Sequence, residues 1–142
     1  MTQSPAQYHA IAVTDDFDVA LDKARRRASR DAILADVVRE RARQDAKWGP
    51  QRHPDIDAPD SLPTTNRRRR QNFANQEKIY KRINDARAAR GADGVWIDIW
   101  LEEVFEAAAA GSTADLRKEL VESIAVAVAW IEDIDTRDRE DA

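Results

Sequence analysis

The chain has 142 residues, 27 of them acidic and 23 basic, for a formal net charge of −4, and it has no cysteine. That length suits one domain with a modest core. The missing cysteines exclude disulfides, thiolate metal sites and a cysteine nucleophile, and no apolar run approaches the ~20 residues of a membrane span. The N-terminus carries no signal-peptide apolar region, so a cytoplasmic protein is expected. Only four Gly and five Pro interrupt a sequence rich in Ala, Arg, Glu and Asp, which points to helices.

The net charge hides an uneven layout. Residues 67–90 carry +7 (9 basic, 2 acidic) and residues 91–142 carry −10 (4 basic, 14 acidic). Residues 1–13 read as a flexible lead-in. A helix is expected from Thr14 or Asp15, either of which can cap the free amides of a first turn. Its apolar residues are Phe17, Leu21, Ile33, Leu34, Val37 and Val38. Residues 22–30 have a weak apolar face, so a break or a stretch standing out into solvent is expected there, with better periodicity to about Ala46. Residues 48–66 contain Pro50, Pro54, Pro59 and Pro63 and read as a long loop. Residues 67–90 return to helix, with Phe73, Ile79, Tyr80 and Ile83 as a sparse apolar face, and Gly91 and Gly94 end it. A third helix runs from about Val95 to Ala110, and Gly111 stops it. Ser112 or Thr113 caps a fourth helix that runs to about Asp135, leaving 136–142 as a charged tail. No strand alternation and no internal repeat are present, so one all-α domain is expected over 14–135.

The third and fourth helices carry the informative residues. At ~100° per residue, Trp96, Ile97, Trp100, Leu101, Val104, Phe105 and Ala108 share one arc of the third helix. Asp98, Glu102, Glu103 and Glu106 share the opposite arc, which taken alone reads as a solvated acidic face. In the fourth helix, residues 124–131 (IAVAVAWI) are apolar all round, as in a helix buried on every side. Glu119 and Glu122 continue the side of Val126, Ala129 and Trp130, whereas Arg117 and Lys118 point elsewhere on the wheel. Buried carboxylates are costly unless paired or metal-bound. Two Glu pairs at i, i+3 on consecutive helices joined by a short turn can face each other. Four converging oxygens suit Mg²⁺ or Mn²⁺ and not Zn²⁺. The alternative is a set of salt bridges to the arginine-rich helices.

Glu102-Glu103-x-x-Glu106, twelve residues, then Glu119-x-x-Glu122 resembles the EExxE…ExxD signature of the MazG-like all-α nucleoside triphosphate pyrophosphohydrolases. Residues 43–55 (RQDAKWGPQRHPD) resemble the KWGxQxHPD stretch of small MazG-like proteins, and the likeness spans about residues 33–135. One position departs: the last ligand is usually Asp, and here it is Glu122. The resemblance implies a four-helix-type bundle completed by homo-oligomerisation, as a homodimer or homotetramer. It also implies Mg²⁺-dependent hydrolysis of a nucleoside triphosphate to the monophosphate and pyrophosphate. Carried over by position, Glu103, Glu106, Glu119 and Glu122 would bind the metal, and Glu102 would sit beside them orienting water or a ligand.

Lys47, Trp48 and Gln51 open the proline-rich segment. As a substrate site, Trp48 would stack on a base, Gln51 read its edge and Lys47 meet phosphate. As structure, Trp48 would anchor the loop and Lys47 be solvated. His53 reads as a loop stabiliser, and His9 falls in the lead-in. The Arg67–Arg70 run suits a nucleic-acid contact, a solvated helix start or a partner for acidic helices. Because cations disfavour a helix N-terminus, an acidic neighbour is expected there. Lys78 and Arg82, one turn apart, are further candidates for the triphosphate, while Tyr80, Trp96 and Trp130 read as core. Two other functions fit: a non-catalytic MazG-like nucleotide- or partner-binding protein and, ranked last because the net charge is negative, a nucleic-acid-binding helical module.

Overall fold

A computed structural model describes the backbone from residue 5 and the side chains from residue 16. Among the described residues the protein is all-α, with four helices and no strand: α1 (Pro5–Trp48), α2 (Pro63–Ala89), α3 (Trp96–Ala109) and α4 (Thr113–Glu140). The chain divides into two compact units, residues 1–47 and 48–142. No helix among the described residues is long and apolar enough to cross a membrane.

The first unit is the body of α1. Residues 1–4 of the expected lead-in lie outside the described residues, and the helix begins at Pro5, ahead of Thr14 and Asp15. Proline suits a first turn because its missing N–H has no helical partner there. His9 falls where side chains are not described. Of the two expectations for 22–30, the break does not occur, but the helix does stand out into solvent there, with all but one of these residues exposed. Ion pairs one turn apart line this surface instead, with Arg26 Nε 2.9 Å from Asp22 and Arg41 Nη2 2.6 Å from Asp45. Such i, i+4 pairs support a helix whose apolar face is weak. Phe17, Leu34, Val37 and Val38 remain exposed.

The second unit opens with a loop. Gly49, at φ 67°, takes the left-handed conformation that ends α1, and Pro50 follows. The loop is shorter than the expected 48–66, because Pro63 occupies the first turn of α2. Three of the four prolines break the helix and the fourth starts one. The loop folds back on α2: Asn66 Nδ2 donates to the Ala58 carbonyl at 3.0 Å, and Arg70 Nε donates to Asp57 Oδ1 at 2.7 Å. Asp57 is the acidic neighbour that the arginine run called for.

A Schellman turn closes α2. Gly91 N–H donates to Ala88 O at 3.0 Å and Ala92 N–H to Arg87 O at 3.0 Å, with Gly91 at φ 67°. Val95 and Ala110 flank α3 as caps. Ser112 caps α4, its Oγ accepting from the Asp115 N–H at 3.1 Å. The helix then continues to Glu140, past the expected end at Asp135, so most of the presumed tail is helical.

Helix α3 packs on α2 along one side and on α4 along the other. Tyr80 of α2 stacks on Phe105 with ring centroids 5.7 Å apart, and Phe73 lies 6.4 Å from the same ring. On the other side Trp96 stacks on Trp130 at 6.4 Å and donates its indole N–H to Asp133 Oδ2 at 2.9 Å. Tyr80, Trp96 and Trp130 are thus packing residues, as expected. The apolar run 124–131 is not buried all round. Val128 is buried, but Ile124 is 54 % exposed and Ile131 is also exposed. An apolar run records what a helix side prefers, and not whether one chain supplies enough neighbours to cover it.

Candidate metal centre

The acidic arc of α3 is not a solvated face. Every residue from Leu101 to Phe105 is at least half-buried, and the carboxylates part towards the two neighbouring helices. Towards α2, Asn84 Nδ2 donates to Glu102 Oε2 at 2.6 Å and to the Asp98 carbonyl at 3.2 Å. Lys81 Nζ stands 3.7 Å from Glu102 Oε1, and Arg87 Nη2 stands 3.9 Å from Asp98 Oδ2. Asp85 and Glu102, in that order, raise the Lys81 pKa. Each carboxylate on this side therefore faces a cation from α2, and Glu102 also accepts an amide hydrogen bond.

Towards α4 the chemistry is opposite. The connection between Ala109 and Thr113 is short enough to turn α4 antiparallel to α3. Glu103 and Glu106, one turn apart on α3, then meet Glu119 and Glu122, one turn apart on α4. One carboxylate oxygen from each of the four lies within 4.8 Å of the others. The side chain of Glu119 is only 17 % exposed, and that of Glu122 is 45 % exposed. Burial, then the neighbouring charges of Glu122, Glu102 and Glu119, pushes the Glu103 carboxyl above its ordinary pKa. Burial, then Glu103 and Glu119, does the same at Glu106, with a smaller contribution from Glu77 of α2.

Among the described residues, one cation forms ion pairs with this group. Lys118 Nζ stands 2.8 Å from Glu119 Oε1 and 3.0 Å from Glu122 Oε2. Lys118 was expected to point away from the stripe, but at ~100° per residue it falls only about 40° from Glu122, on the edge of that stripe. Its four-carbon stem then reaches Glu119 as well. These hydrogen bonds raise the Lys118 pKa, and the one to Glu122 holds that carboxyl low. Glu119 Oε2, buried, has no hydrogen-bond partner among the described residues.

The four glutamates expected to act as ligands are thus brought together, with Glu102 one residue away on the α2 side. Lys47 ends the first unit, and Trp48 and Gln51 begin the second, all three exposed. The convergence of carboxylates does not extend to them. Lys78 and Arg82 are exposed on α2. The sequence reading misses Lys81, Asn84 and Arg87, and sets Lys118 off the stripe. For Lys118 a signal existed in its i, i+4 spacing from Glu122.

The donor set suits a hard divalent cation. All four groups are carboxylates, they converge from rigid helices, and Glu119 keeps a buried oxygen free. Comparison with protein-family models, curated proteins and solved structures gave no match.

Proposed function

We propose that the protein is a Mg²⁺-dependent nucleotide pyrophosphohydrolase, cleaving a nucleoside triphosphate between its α and β phosphates to release the monophosphate and pyrophosphate. The observation that carries this reading is the convergence of Glu103, Glu106, Glu119 and Glu122 within 4.8 Å with one ammonium among them. Four carboxylates so placed repel one another unless positive charge sits between them. The spacing that produces the convergence resembles the EExxE…ExxD signature of MazG-like enzymes, with Glu122 in the place of its Asp.

Glu103, Glu106, Glu119 and Glu122 would hold Mg²⁺, with Mn²⁺ as a substitute. The bound cation supplies neutralisation of phosphate charge and a more acidic water. Glu102 orients a water at the edge of the cluster, because Asn84 fixes the direction of its carboxylate. Phosphoryl chemistry of this kind rests on positioning and electrostatics, so no Ser/His or Cys/His pair is required. Within the second unit, Trp48 and Gln51 would take the base. The exposed Leu120, Val121, Ile124, Ile131 and Ile134 of α4 support assembly into a homodimer or homotetramer.

A panel of nucleoside triphosphates incubated with Mg²⁺ tests the activity through pyrophosphate release, and light scattering tests assembly. Release of pyrophosphate from at least one nucleotide is expected, as is a rise in melting temperature with Mg²⁺. No release across the panel and no Mg²⁺ effect on melting would sink the reading. Glu122, where the family has Asp, and its engagement by Lys118 favour a second reading of nucleotide binding without turnover. Nucleotide-dependent stabilisation with no product selects that one.

A further inference from the structure

Resting on the metal reading above, we propose that Lys118 is a tethered counter-ion which a divalent cation displaces, and that its freed ammonium then pairs with the substrate's phosphate chain. Three observations lead there. The ammonium holds Glu119 Oε1 and Glu122 Oε2 at 2.8 and 3.0 Å, which are carboxylates a metal would need. Its side chain is 61 % exposed, so it has room to swing away without disturbing the core. Glu103 and Glu106 are left without any such bond, and Glu119 keeps a buried free oxygen, so one ammonium does not satisfy four carboxylates.

The electrostatics give the exchange a direction. A dication among four carboxylates neutralises more charge than a monocation at the rim, and the two cations repel. Lys118 is then pushed out while its stem keeps it within a side-chain length of the site. Four carboxylates and one dication still carry net negative charge, which opposes a polyanionic triphosphate. A cation at the rim offsets that opposition, and an ammonium on a flexible stem suits a phosphate oxygen as a point charge. The same side chain thus screens the glutamates before the metal arrives and the phosphates afterwards.

The test compares wild type, Lys118→Met, Lys118→Arg and a control, Arg117→Met, a charge removal next door that touches none of the glutamates in the structure. Three quantities are measured: the melting temperature without metal, the affinity for Mn²⁺ by titration calorimetry, and the affinity of the Mn²⁺-loaded protein for a triphosphate whose α–β bridge is a methylene. Lys118→Met is expected to melt lower without metal, bind Mn²⁺ about tenfold tighter because its competitor is gone, and bind the analogue about tenfold more weakly. Arg117→Met should move both affinities less than twofold, and Lys118→Arg should recover analogue binding. Unchanged or weaker Mn²⁺ binding by Lys118→Met, an unchanged affinity for the analogue, or equal effects from Arg117→Met would each overturn the exchange while leaving the metal centre standing. Absence of Mn²⁺ binding in wild type removes both the exchange and the metal reading.

Discussion

Helix α3 carries acidic residues on two sides, and the two sides are treated differently. Facing α2, Asp98 and Glu102 are answered by Arg87, Lys81 and the amide of Asn84. Facing α4, Glu103 and Glu106 are answered by two more glutamates, with Lys118 reaching only the α4 pair. The first side sets a cation against each carboxylate, although Asn84 Oδ1 and Arg87 Nε are buried there without a hydrogen-bond partner among the described residues. The second concentrates like charge in a half-buried place, which costs stability in a chain without a bound cation. Segregated on one 14-residue helix, the two sides separate carboxylates paired with cations from carboxylates crowded against one another.

The sharpest way to break that contrast is Glu119→Gln. If the α4 side is the reaction centre, pyrophosphate release should fall by at least ~100-fold, while circular dichroism reports an intact helical fold. Retention of full turnover would place the chemistry elsewhere. On the α2 side, Asn84→Ala should act mainly on stability, and should lower turnover less than Glu119→Gln does because it only frees the Glu102 carboxylate. It strips the short bond from half-buried Glu102 and should cost about 1–3 kcal/mol, read as a lower urea midpoint.

A pH series separates the sides further. The raised pKa values of Glu103 and Glu106 mean that the native state holds protons more tightly than the unfolded chain. This pair's contribution to metal-free stability is therefore best at acid pH and declines as pH climbs from the ordinary glutamate range through the raised values. Glu103→Gln should flatten that decline and lift the melting temperature above it. The smallest effect is expected away from both sides: Gly91→Ala forces a Cβ into the left-handed turn and should cost about 1 kcal/mol, with no change in metal binding.

Much of the α4 side was legible in the chain. Glu103/Glu106 and Glu119/Glu122 are each one turn apart, and Gly111 with Ser112 marks a tight connection, so their meeting follows from helix periodicity and loop length alone. The four helices were legible for the same reason. The α2 side was not. Asn84, Lys81 and Arg87 are ordinary polar residues of a helix with few apolar positions, and which stripe of α2 meets α3 is decided by Phe73, Tyr80 and Phe105 packing together. Lys118 is legible too, because its i, i+4 spacing sets it beside Glu122 on the wheel, at the edge of the stripe. Pro63 was misread because proline both ends and begins helices. The exposure of Ile124 depends on how many neighbours are present, which no property of residues 124–131 encodes.

The three residues that join α3 to α4 have a kinetic consequence. The four clustered glutamates lie on one local hairpin, whose ends meet at small entropic cost and which therefore belongs to the fast steps of folding. Repulsion between Glu103, Glu106, Glu119 and Glu122 is then met while the hairpin is closing, before the rest of the second unit has condensed. A cation that settles among them acts on how quickly the chain folds as well as on how firmly the folded chain holds. Refolding rates should accordingly rise with Mg²⁺, with less change in unfolding rates.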